Sequence, residues 1–134
     1  RLIKSEEEIV AMRRSIFACE KSIELMRSHC EPGITEQKLW SHFQMEAVSR
    51  GAEWIETRLL AAGPRANPWY HECSSRPIQN GELIGFDTDL VGAYGYCTDI
   101  SRTWMCGDKS ASSAQKEIYT MAYEQVQQNL EILR

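Results

Sequence analysis

The chain has 134 residues, 43% of them hydrophobic and 25% charged, which is the size and make-up of one ordinary domain able to bury a core. A formal charge of −4 leaves no basic stripe, which argues against nucleic acid or an anionic membrane surface as partner. No apolar run approaches the roughly 18 residues of a membrane span, and the start Arg1-Leu2-Ile3-Lys4-Ser5-Glu6 is not a secretory signal.

Ser5-Glu6-Glu7-Glu8 has the spacing of a capping box, and its three acids suit a helix N-terminus. Ile9, Met12, Ile16, Cys19, Ile23 and Met26 recur every three or four residues and predict one apolar face, up to the stop at Glu31-Pro32-Gly33. Thr35 is the expected N-cap of a second helix, with Leu39, Phe43 and Ala47 on one face and Gly51 as its end. From Trp54 to Leu60 apolar and polar residues alternate, which predicts a strand. From Ala61 to Arg76, with Gly63-Pro64 and Asn67-Pro68, the chain reads as irregular.

Asn80-Gly81 is a turn signal that leads into a hairpin. Leu83 to Asp89 forms its first strand, Leu90 to Tyr94 its turn, and Gly95 to Trp104, rich in β-branched and aromatic residues, its return. After Gly107-Asp108 a last helix carries Ile118, Ala122, Val126, Leu130 and Leu133 on its apolar side. The order of elements is α+β. The chain lacks an initiator Met and stops at Arg134 inside a helical pattern, so it reads as a piece of something longer.

The hairpin carries the chemistry. Side chains two apart in a strand share a face, so Asp87 and Asp89 point the same way, about 6.6 Å apart at Cα. A turn centred on residue 93 pairs Asp87 with Asp99, and one centred on residue 94 pairs Asp89 with Asp99. Either register sets two acids opposite each other, where unit charges about 5 Å apart repel by roughly 3 kcal/mol at an effective dielectric of about 20. Compensation can come from a proton, from Arg102 or Arg76, or from a hard or borderline divalent ion. A surface reading also exists, with Asp89 in the turn and Asp99 paired with Arg102.

Five cysteines, an odd number with no C-x-x-C pair, fit reduced and mostly buried thiols in a cytoplasmic protein. His29 and His42 read as packed or solvated imidazoles rather than ligands.

Pro32-Gly33-x-Thr35-Glu36, Asn80-Gly81-Glu82-Leu83, Asp87 at a strand end, and Gly95-Tyr96-x-x-Asp99-Ile100-x-Arg102-Thr103 together resemble the M24 peptidase family of pita-bread metalloenzymes. That family includes methionine aminopeptidases, X-Pro aminopeptidases, prolidases and creatinase. The resemblance covers essentially residues 1–134 and implies the first half of the catalytic domain, without the downstream half or the N-terminal domain of X-Pro-type members. It implies a dinuclear site of two divalent ions (Fe, Mn, Co or Zn), with Asp87 and Asp99 as ligands and Asp99 bridging. The remaining His and two Glu ligands, and the catalytic base, are expected beyond Arg134, so no catalytic residue is assigned within the chain and the piece alone is expected to be inactive. A homodimer in the full-length protein is a further implication.

Two departures from the family pattern point to a branch. The hairpin has one residue more between Asp87 and Asp99 than most members, and Asp89 stands where a small residue is common. Gly63-Pro64-Arg65-Ala66-Asn67-Pro68-Trp69-Tyr70-His71-Glu72-Cys73, with Phe86-Asp87-Thr88-Asp89-Leu90, is similar to the dimethylsulfoniopropionate lyases, whose metal set includes the extra acid, here Asp89. His71 is the candidate for the substrate-binding His of hydrolytic members, although Tyr70 falls at the expected spacing. Trp69 and Tyr70 are candidates to line a pocket for a small cationic substrate. Three functions follow as expectations: a C–S lyase, an X-Pro peptidase acting on short peptides, or a metal-free binding module of the same fold.

Overall fold

The computed structural model describes residues 3–133; Arg1, Leu2 and Arg134, which belong to the end segments read above, lie outside them. Helix α1 spans Glu6–Ser28 and opens with the capping box: Glu8 N donates to Ser5 Oγ at 3.3 Å, and Ser5 N to Glu8 Oε2 at 2.6 Å. Its buried face is rotated from the expected one. Cys19, Ile23 and Met26 are buried as expected, but Ala11, Ser15, Ala18 and Ser22 complete the stripe, while Ile16 is 40% exposed. Close approach is the reason, since a Cβ on Gly92 would come within 2.2 Å of Ser15 Oγ, leaving no room for a large side chain. Ser15 and Ser22 satisfy their hydroxyls on Ala11 O and Ala18 O at 3.2 and 2.7 Å.

Helix α2, Glu36–Ser49, starts at Thr35, whose Oγ1 accepts from Lys38 N at 3.1 Å, and buries Leu39, Trp40, Phe43 and Ala47. The strands are β1 (Trp54–Ile55), β2 (Leu60–Ala62), β3 (Leu83–Phe86), β4 (Asp89–Val91), β5 (Cys97–Asp99) and β6 (Arg102–Met105). They form two antiparallel three-stranded sheets, ordered β1-β4-β5 and β2-β3-β6.

The expected hairpin is therefore present but divided, with Asp87-Thr88 and Ile100-Ser101 between its halves. One register runs through both: Leu83 opposes Met105 and Asp89 opposes Asp99. The strand expected from Trp54 to Leu60 splits at the same level, because β1 bonds to β4 whereas Leu59 O accepts from Asp87 N at 3.0 Å beside β2 and β3. Ala61 and Ala62, read as irregular, belong to β2.

Burial alternates through the break. Ile84, Phe86, Thr88 and Leu90 are buried while Leu83, Gly85, Asp87, Asp89 and Val91 are partly open, so the period of two survives the loss of pairing. Phe86 joins Trp40, Phe43 and Trp104 in an aromatic group with ring centroids 5.1 to 6.4 Å apart, the centre of the core between α2 and the β2-β3-β6 sheet.

Helix α3, Ser113–Ile132, begins with a second capping box on Ser112 and Gln115 and has no buried residue. Its apolar side stands open, with Ile118 69%, Val126 53%, Leu130 46% and Leu133 83% exposed. Cys19, Cys73 and Cys106 are buried and Cys30 partly so, in line with mostly buried thiols, whereas Cys97 is exposed. His29 and His42 stack on each other with centroids 4.0 Å apart.

Candidate metal centre

The three acids lie where the two sheets meet. Asp87 follows β3, Asp89 opens β4 and Asp99 closes β5, directly across the ladder from Asp89. Of the two registers open to the sequence, the turn centred on residue 94 is the one formed. Asp87 and Asp89 share the partly open face, and Asp99 is exposed on its strand.

Each acid is held differently. Asp87 Oδ1 accepts from Ser101 Oγ at 2.7 Å, and Asp89 O accepts from Glu56 N at 3.1 Å, which brings the Glu56 backbone alongside the cluster. Burial first, then the charges of Asp99, Asp87 and Glu56, raise the Asp89 carboxyl above the ordinary aspartate value. All three of these charges are negative.

The arginines do not relieve this. Arg76 forms a two-pronged pair with Glu82, at 2.8 and 2.5 Å, and Arg102 reaches Glu20 at 3.6 Å and Ser101 O at 2.8 Å. Among the described residues no ion pair includes Asp87, Asp89 or Asp99, so the surface reading in which Arg102 neutralises Asp99 is not what forms.

Carboxylates clustered without a cationic side chain fit a divalent ion as donors, and oxygen ligands suit hard or borderline metals. The fit is partial. Among the described residues no group of three or more His, Cys, Asp or Glu side chains converges closely enough to hold an ion. What the chain supplies is one wall of acids.

The aromatic candidates come from the loop after β2. Trp69 packs on Gly85, where a Cβ would come within 2.7 Å of the indole, and Gly85 lies on the face of Asp87 two residues before it. The structure thus brings Trp69 to the acid side of the sheet. Tyr70 is 80% exposed, with a positive φ of 80°, and points to no partner among the described groups. His71 is partly buried and, among the described residues, no hydrogen bond or ion pair joins it to an acid of the cluster.

Two residues escaped the sequence reading. Glu56 follows directly on β1 and donates its N–H to Asp89 O, and the signal was its place two residues after Trp54 in an alternating stretch. Glu36 was visible only as part of a motif, yet it is fully buried and binds Ala62 N, Ser74 N and Oγ, and Arg65.

The model of metallopeptidase family M24 matches residues 10–134. The chain belongs to metallopeptidase family M24. It is 46% identical over 141 residues to dimethylsulfoniopropionate lyase DddP of Roseovarius nubinhibens and 48% to that of Roseobacter denitrificans, in each case with 100% of this chain and 31% of the relative covered. Zinc-substituted aminopeptidase P of Escherichia coli in complex with product superposes with a TM-score of 0.83 at 26% identity, over 98% of this chain and 30% of that one. The fold is thus part of the one expected. The M24 chain spans about a third of the length of the curated relatives it matches. Among the described residues no helix is long and apolar enough to cross a membrane.

Proposed function

We propose that this chain is the acid-bearing part of a dimethylsulfoniopropionate lyase, a metal-dependent enzyme that cleaves a C–S bond by β-elimination. The observation that carries the lyase reading is the likeness to two such lyases at 46% and 48% identity over all of the chain, against 26% for aminopeptidase P. Asp89 supports it, as the extra acid set directly against Asp99.

In this reading Asp87, Asp89 and Asp99 hold two divalent ions together with ligands from the rest of the protein. When bound, the ions supply positive charge against the substrate carboxylate. Iron, manganese, cobalt and zinc all suit the donor set. Trp69 offers an aromatic face to the sulfonium, which is attracted to it as an ammonium is, while Tyr70 and His71 of the same loop are further candidates for substrate contact. A base outside the chain takes the proton alpha to the carboxylate. That electron pair forms the new C=C bond, the C–S bond breaks with its electrons to sulfur, and acrylate and neutral dimethyl sulfide leave.

Hydrolysis of a peptide bond next to proline is the second reading, favoured by the TM-score of 0.83 with aminopeptidase P. The cytoplasm as location and a homodimer as assembly belong to the same proposal. Incubating the full-length protein with dimethylsulfoniopropionate and with X-Pro dipeptides separates the readings. Dimethyl sulfide in the headspace is expected; dipeptide cleavage without gas sinks the lyase. A full-length protein that purifies without metal and gains no activity on adding it would leave only a binding module.

A further inference from the structure

Glu36 is the first residue of α2 and is fully buried, a rare situation for a carboxylate. Its Oε1 accepts from Ala62 N at 2.9 Å. Its Oε2 accepts from Ser74 N at 2.9 Å, from Ser74 Oγ at 2.6 Å and from the Arg65 guanidinium. Ala62 is where the loop leaves β2 and Ser74 is where it returns, so one carboxylate ties both ends of the segment that holds Trp69, Tyr70 and His71.

Arg65 then reaches across the loop. Its second terminal nitrogen donates to Glu72 O at 3.0 Å, and the Glu72 carboxylate is itself held by Arg58 at 2.7 Å. Between these ties Tyr70 sits in the left-handed region at φ 80°, which is uncommon for a non-glycine residue. Trp69 next to it is seated on Gly85, the one residue type that leaves space for the indole there. A buried ion pair is a weak source of stability compared with apolar packing, and fixing a geometry is its better-attested use.

We infer that Glu36 and Arg65 form a clamp that holds Trp69 over the acid face, which makes Arg65 a positioning residue for the cationic end of the substrate. The inference rests on the reading of the acid face as the reaction site. Among the described residues Arg65 pairs with Glu36 and not with Asp87, Asp89 or Asp99, and in this inference it acts through Trp69.

Arg65 is partly exposed, which makes it the better residue to change. In the full-length protein Arg65→Met is expected to raise KM about tenfold with kcat and bound metal nearly unchanged, the signature of lost binding rather than lost chemistry. Arg65→Lys should recover only part, since it keeps the charge and loses the fork to Glu72 O. Trp69→Phe alone should also raise KM, and adding Arg65→Met to it should do little more, because residues acting through one contact are non-additive. Independent effects of the two substitutions, or an unchanged KM in Arg65→Met, would overturn the clamp.

Amide exchange gives a readout without turnover. Residues 69–73 should exchange faster in Arg65→Met while β3 stays protected, and equal protection of the loop in both proteins would also overturn it. If the wild type cleaves X-Pro dipeptides and releases no gas, the lyase reading falls while the KM comparison on the dipeptide still decides the clamp. If neither substrate turns over, the exchange experiment decides it alone.

Discussion

The two sheets share a hairpin but are built for different ends. The β2-β3-β6 sheet buries Leu60, Ala61, Ala62, Ile84, Phe86 and Trp104, and the charged pair beside it, Arg76 with Glu82, is closed by two hydrogen bonds. The β1-β4-β5 sheet buries Leu90 and Thr98 and sets Asp89 against Asp99, with Glu56 and Asp87 adding to the same charge. A single alternating run from Leu83 to Val91 therefore spends its first half on packing and its second on unpaired charge. The core half anchors the register that sets these acids against each other.

The contrast breaks most sharply in the core. Phe86→Ala removes the ring shared by Trp40, Phe43 and Trp104 and should cost about 3 to 5 kcal/mol, read as a lower denaturant midpoint with little change in slope. The site sheet should respond in function instead. Asp99→Ala in the full-length protein is expected to lower metal content and cut activity by at least about 100-fold while the fold survives, checked by metal analysis and turnover.

Acidity sharpens the comparison by sign. Arg76 holds the Glu82 carboxyl below its ordinary value, so its contribution to stability is present above the ordinary glutamate range and is lost as pH falls through the lowered value. The Asp89 carboxyl is raised in the folded chain, so its contribution is present below the ordinary aspartate range and is lost as pH rises through the raised value. In urea melts of the metal-free chain across pH, Glu82→Gln should flatten the acid limb and Asp89→Asn should remove the loss above it. A divalent ion should oppose the Asp89 effect.

The smallest effect is expected on α3. Ile118→Glu should change the stability of this chain by less than about 0.5 kcal/mol, since Ile118 is 69% exposed, and a larger loss in the full-length protein would show that its face is covered there.

Much of the architecture was legible from residue order. Both early helix starts were readable because a cap is a contact between residues three apart, and the shared face of Asp87 and Asp89 because strand periodicity is local. The buried side of α1 was misjudged because hydrophobicity favours Ile16, whereas the space left by Gly92 admits only small residues such as Ser15. Glu36 showed no role in the sequence because its partners lie 26 to 38 residues away.

By itself the amino-acid order determined the α+β plan, the caps, the acids on one face and the family whose motifs it carries. Tertiary structure decided which acid opposes Asp99, where the hairpin divides, which carboxylates Arg76 and Arg102 neutralise, and how the loop of Trp69 is tied down. The physical reason is range. Turns, caps and alternation depend on neighbours in the chain, whereas the partner of a charge depends on which distant segment packing brings within a few ångströms.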